Sequence, residues 1–208
     1  MAKRKSSYHH GDLRRALMDA ALAMVKEGGV ASLSLREAAR RAGVSSAAPY
    51  HHFESVDALV TALCAEGFEG LAAAMRGGAA EAGGEARARM AAMGRAYVHY
   101  AVTHPAHFRL MFSVPAPGLD APSADEVPAF GQMLAGIRAL QAEGLAPKGA
   151  VAPLALMAWS TVHGLASLLI EGPLAEGLMG LSAGSLGATL SRTLVDAFAA
   201  LARNESSA

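Results

Sequence analysis

Within the stretch Ser34 to Phe53, SLREAARRAGVSSAAPYHHF, guanidinium groups at Arg36, Arg40 and Arg41 are followed by the hydroxyls of Ser45 and Ser46, the phenol of Tyr50 and the imidazoles of His51 and His52. Such groups donate to anionic oxygens and to other polar acceptors. Their chemistry is recognition through hydrogen bonds and charge, not bond-making. Elsewhere the reactive side chains are isolated. Cys64 has no His-and-acid pattern beside it, so a nucleophile role is disfavoured. His99, His104 and His107 could approach one helix face, but no Cys or carboxylate falls at a spacing that completes a metal site. Satisfied histidines are the preferred reading, and no metal or cofactor is expected. His163, on an apolar helix, either polarises a ligand or bonds a backbone carbonyl where Gly164 allows close approach; the second is preferred.

The elements that must position the first group read as two short helices and a tight turn. Ser34 and Glu37 have capping-box spacing, and Leu35, Ala38 and Ala39 form a narrow apolar face. Gly43 can end the first helix in the left-handed conformation. Ser45 suits the N-cap of a second helix, Ser46 to His52 or Phe53, in which Pro49 at the fourth position removes one hydrogen bond. This pattern fits a helix-turn-helix whose second helix enters a DNA major groove. It fits an ordinary helical hairpin as well.

The residues that follow favour the first reading. Gly43-Val44-Ser45, then Tyr50, His52 and Phe53, then Ser55 and Leu59, resemble the end of the DNA-binding domain in the TetR/AcrR family of bacterial transcriptional regulators. The likeness extends back to Gly11. Two positions depart from the family pattern: Pro49 replaces an aliphatic residue, and Val56 replaces a Lys that touches phosphate. Trp159-Ser160-Thr161-Val162-His163-Gly164, with His104-Pro105 and Phe108 to Phe112, resembles the C-terminal domain of a subgroup with a Trp…His-Gly motif.

This resemblance implies an all-α chain: a basic arm at 1–10, a three-helix helix-turn-helix domain at 11–70, and an effector-binding and dimerisation domain at 71–208. It implies a ligand-responsive regulator, not an enzyme, most simply a repressor. A homodimer, built through Val151–Glu171 and Ser185–Arg203, would bind a palindromic operator in double-stranded DNA. Ser45 and Ser46 would meet phosphate, Ala47 would face base edges, Tyr50 would anchor a phosphate and His51 would read a base or touch phosphate. Ser34, Arg36 and Arg40 complete the DNA-binding set; His52 and Phe53 are assigned to packing. A small, mostly apolar effector would sit among Met93, Tyr97, Tyr100, Met111, Met133, Trp159 and His163, all of which equally suit a plain helical core. In the family mechanism the effector moves the linking helix and alters the distance between recognition helices.

Composition agrees with a helical, globular protein. Of 208 residues, 52% are hydrophobic and 17% charged, which argues against disorder. Net charge is zero but unevenly placed. Residues 1–60 carry nine Lys/Arg against six Asp/Glu, leaving nine against twelve in the remainder. A basic head on a mildly acidic body suits nucleic-acid binding by one part alone. One cysteine precludes an internal disulfide and fits a reducing cytoplasm. No signal-peptide pattern or membrane partner is expected; Ala150 to Ile170 comes closest to a span but is broken by Ser160, Thr161, His163 and Ser167, and reads as a buried helix.

Apolar spacing places helices at Leu13–Glu27, Asp57–Arg76 (with Gly77-Gly78 and Gly83-Gly84 as punctuation), Glu85–His104, Ala129–Glu143, Val151–Glu171 and Ser185–Arg203, plus a short helix after Pro105. Ser113 to Pro128, with four prolines, reads as a loop. Two other functions remain open: a helical ligand carrier or small enzyme with a coincidental hairpin, and a DNA-bending protein without an effector.

Overall fold

The computed structural model describes residues 10–113, 127–172 and 182–205, and every regular element among them is helical. In chain order these are α1 (His10–Gly28), α2 (Leu35–Arg41), α3 (Val56–Ala82), α4 (Ala86–Thr103), α5 (Pro105–Ser113), α6 (Pro128–Ala142), α7 (Val151–Glu171) and α8 (Ala183–Glu205). Single 3₁₀ turns occupy Val30–Ser32 and Ala48–His51. Most of the basic arm, the proline-rich stretch before Pro128, the glycine-rich stretch after Gly172 and the last three residues lie outside the described residues.

These residues divide into two units: 10–67 with 106–113, and 68–105 with 127–172 and 182–205. In the first, α1 presents Leu17, Met18, Ala21, Met24 and Val25 at helical spacing. They close a core with Leu35, Ala38, Phe53, Leu59, Val60, Leu63 and, from α5, Leu110. Phe53 is 3% exposed, and the Arg14 guanidinium lies 5.3 Å from its ring centroid, so the residue after the turn is pinned to α1. Gly67 admits α5 closely: a Cβ there would come within 2.6 Å of the Met111 sulfur.

In the second unit the most extensive helix contact is α4 on α8. Gly94 and Gly187 face each other at the crossing, where a Cβ on Gly187 would come within 2.6 Å of the Gly94 carbonyl oxygen. Tyr97, Met90, Met93, Val98, Met133, Ile137, Leu140, Val162, Val195 and Phe198 fill the interior.

Three expectations change. α3 continues to Ala82, so Gly77-Gly78 does not interrupt it. Gly78 serves a close approach: a Cβ would stand 3.0 Å from the Ala92 carbonyl oxygen of α4. The break falls at Gly83-Gly84, both with positive φ. Next, α7 is not a buried helix. Ala155, Ala158, Val162, Leu165 and Ala166 bury one stripe, while Leu156 (56% exposed), Met157 (50%) and Leu168 (49%) stand in solvent. Leu190 and Leu201 of α8 are exposed too. Finally, α3 and α7 are long and apolar enough by composition to cross a membrane, with mean hydropathies of 1.4 and 1.5. Core helices of globular proteins meet the same criterion. In α3, Leu59, Val60, Leu63, Leu71, Ala72 and Met75 are buried.

Candidate functional site

The turn after α2 is closed by its own backbone. Ser34 caps α2 in an extended conformation, its Oγ accepting from the Glu37 amide at 3.5 Å. At the other end Gly43 has φ +71°, its N–H reaches the Arg40 carbonyl at 3.2 Å, and the Val44 N–H reaches that of Ala39 at 3.0 Å. This is the paired Schellman arrangement that satisfies the last carbonyls of a helix.

Beyond it, the expected second helix is tighter and shorter. An α-helix capped by Ser45 would need an N–H at residue 49 to bond the Ser45 carbonyl, and Pro49 has none. Ala48 donates to that carbonyl instead at 3.0 Å, Tyr50 donates to Ala47 at 3.3 Å and His52 to Pro49 at 2.9 Å, all i to i−3. Hence a 3₁₀ turn replaces an α-helix. Ala47, without a side-chain cap, stands at its start in place of Ser45. Pro49 is the buried residue of this turn. Around it Ser45, Ser46, Ala47, Tyr50 and His51 are all exposed, Tyr50 at 52%. Arg36 and Arg40 are exposed one helix earlier, and Ser34 is half-buried by its capping role. Ser55 starts α3 by accepting from the Ala58 N–H at 3.1 Å, and Val56 packs against the core.

A charge network beside the turn was not foreseen, although its i, i+3 and i, i+4 spacing was visible. Arg40 donates from Nε and Nη2 to the Glu37 carboxylate at 2.7 and 2.6 Å, and Arg41 bridges Glu37 (2.9 Å) and Glu27 (2.8 Å). Hydrogen bonds from Arg40, then Arg41, hold the Glu37 carboxyl down at about 2. Glu27 is lowered through its hydrogen bond from Arg41. Lower in the same unit, Arg15 meets Glu66 at 2.5 Å and His107 Nε2 lies 3.0 Å from the other Glu66 oxygen. Burial pushes the Glu66 carboxyl up, but its two partners outweigh this and leave it below the usual range.

In the second unit the candidate pocket residues do not all gather. Tyr97, fully buried, puts its hydroxyl 3.0 Å from His163 Nδ1, and Trp159 stands edge-on to Tyr97 at 5.2 Å and to Phe130 at 5.7 Å. Burial raises the Tyr97 phenol and lowers the His163 imidazole, so both stay neutral near pH 7. The Nδ1 atom of His163 thus meets a phenol, and no atom of the chain stands within 4 Å of a Cβ built on Gly164, so the close approach expected at that glycine is not made within the chain. Met93 and Met133 are buried in the same unit. Tyr100 stacks on His104 at 4.3 Å and lines a separate cavity. Met111 belongs to the first unit, against Gly67. His104 Nδ1 lies 3.0 Å from the Thr103 hydroxyl, and among the described residues no group of three potential ligands gathers to hold a metal.

Comparison with known proteins follows the same division. Residues 17–63 match the family described as "Bacterial regulatory proteins, tetR family", and residues 90–198 match "Tetracyclin repressor-like, C-terminal domain". HTH-type transcriptional regulators of Mycobacterium tuberculosis and Mycobacterium bovis are 35% identical over 95 residues, which is 45% of this chain and 41% of theirs. The match therefore spans well under half the length of those relatives. A solved protein of unknown function from Rhodococcus sp. RHA1 is 36% identical, with a TM-score of 0.79 over 94% of this chain and all of that one. The TetR-family transcriptional regulator PfmR of Thermus thermophilus, at 18% identity, shares the fold with a TM-score of 0.65 over 86% of this chain and 96% of its own. With one family match across the helix-turn-helix and another covering more than half of the chain, the protein belongs to the TetR family of bacterial regulatory proteins.

Proposed function

We propose that this chain is a transcriptional repressor that binds a two-fold operator in double-stranded DNA as a homodimer and releases it when a small effector enters its body. The observation that carries the reading is the exposed set Ser45, Ser46, Ala47, Tyr50 and His51, held around buried Pro49 by a 3₁₀ turn that follows the capped end of α2. Such a set offers hydroxyls and a phenol to phosphates and a small side chain and an imidazole to base edges. Arg36 adds sequence-independent affinity, and Arg40 does so once it leaves Glu37. Ser34 supports the set by fixing the start of α2. The exposed leucines of α7 and α8 are where a second copy would sit, pairing two reading turns with two half-sites. For the effector, the proposed pocket is the part of the body around Met93, Tyr97, Met133, Trp159 and His163, apolar apart from one hydroxyl–imidazole pair. The cytoplasm is the compartment such a role requires, with no membrane partner.

Fluorescence anisotropy tests this, using the purified chain with DNA from upstream of its own gene and with scrambled DNA at near-physiological salt. Tight binding to a palindromic segment at two protomers, or a multiple, per site is the expected result. Equal, salt-sensitive binding to both DNAs would overturn the operator reading.

A further inference from the structure

The second unit contains a half-open cavity of about 810 Å³ walled by the second half of α3, by α4 and by the start of α8. It is separate from the Tyr97–His163 pair, and of the apolar candidates discussed above Tyr100 alone lines it. Its volume lies in the range of small-molecule sites. The space is made by missing side chains. A Cβ on Gly77 would meet nothing within 4 Å, and Gly78, Ala96 and Gly184 continue the small-residue surface.

Arg95 borders this space. Its stem lies against Gly184, with Cγ 3.2 Å from where a Cβ would be, and its guanidinium has no hydrogen bond or ion pair among the described residues. By contrast Arg87 and Arg89, on the same helix, are paired with Asp196 and Glu143. The other polar groups around the cavity are the exposed His99 and His104, the hydroxyls of Tyr100 and Thr103, the hydroxyls of Ser182 and Ser185, 2.9 Å apart at the start of 23-residue α8, and one acid, Glu81. An uncommitted guanidinium with hydroxyl donors beside a helix start is suited to an oxyanion. Alanine and glycine walls suit a hydrocarbon segment.

We propose that this cavity is a binding site for a small organic anion, a single carboxylate on a short apolar body, with Arg95 as the charged anchor and Gly77 as the opening that admits the apolar part. Glu81 opposes the charge and limits the affinity.

The test is isothermal titration calorimetry on the full chain with octanoate, 1-octanol and octylamine, supported by thermal shift. Octanoate is expected to bind, and octanol to bind about tenfold weaker or worse, as loss of one charge-assisted contact predicts. Arg95→Gln should weaken octanoate by about the same factor without affecting octanol. Glu81→Gln should strengthen octanoate. Gly77→Leu fills open space in a helix, so it should keep the fold while removing the binding; if it fails to fold, the Arg95 and Glu81 variants still decide. Equal binding of octanol and octanoate, preference for octylamine, or unchanged octanoate affinity in Arg95→Gln would each overturn the proposal. Because the readout is binding alone, its failure leaves the operator reading intact.

Discussion

Glu37 controls how much positive charge beside the turn is available to a partner. Its carboxylate engages both Arg40 and Arg41, so those cations are matched in the free protein. Replacing it with Gln should release Arg40, raise affinity for any duplex, and steepen the dependence of log Kd on log salt by up to about one per freed phosphate contact. Binding measured at two salt concentrations, for operator and scrambled DNA alike, checks this. The same carboxyl gives a pH prediction. Its folded value of about 2 lies below the ordinary 4.5, so its contribution to stability is complete above 4.5 and fades as pH falls towards 2. The urea midpoint of the wild type should therefore fall more steeply over that window than that of Glu37→Gln. At Tyr50 and His51 the substitutions act on the partner, since both side chains are exposed. Tyr50→Phe should weaken binding to all sequences, whereas His51→Ala should change the order of preference among half-site variants. If both bind like wild type in competition anisotropy, the reading surface has been misplaced.

At the scale of elements, glycines with the same local appearance do different work. Gly187 must be glycine because a methyl would meet the backbone oxygen of Gly94, which has no rotamer to escape through. Gly187→Ala should cost about 1–3 kcal/mol in urea unfolding. Gly77→Ala, in open space within α3, should instead stabilise by up to about 1 kcal/mol. This contrast marks what was legible in the chain. The turn at Gly43, the cap at Ser34 and the span of α7 were readable because their causes lie within a few residues. Gly77-Gly78 was misread as a break because the Ala92 carbonyl that Gly78 accommodates is on another helix. The second helix of the motif was overestimated for a different reason: Pro49 was counted as one lost bond, yet without it the Ser45 carbonyl is met by Ala48, and i−4 pairing returns only at Phe53. Of the candidate site, the exposed residues were legible from their type and order. The partner of His163 was not, since Tyr97 is 66 residues away in sequence.

For the whole molecule, the strongest unmet demand is apolar. Leu156, Met157 and Leu168 on α7, with Leu190 and Leu201 on α8, leave these two helices with large hydrophobic side chains in water. These residues lie on two helices that contact each other, and they are the surface the proposed dimer would bury. A second copy of the chain is the occupant that also suits the reading turn, because a two-fold axis repeats that turn for a two-fold site. Half-site contacts made by one protomer are weak, and joining two raises affinity through effective concentration alone. The double substitution Leu156→Glu with Leu168→Glu should therefore leave the helical circular dichroism unchanged, convert the protein to a monomer in analytical ultracentrifugation, and weaken operator binding by at least about a hundredfold. Binding to scrambled DNA should fall much less, since it depends on cations in the first unit. A wild-type chain that sediments as a monomer while binding lipid vesicles would assign the α7 surface to a membrane. A dimer unaffected by the double substitution would move the interface to another face.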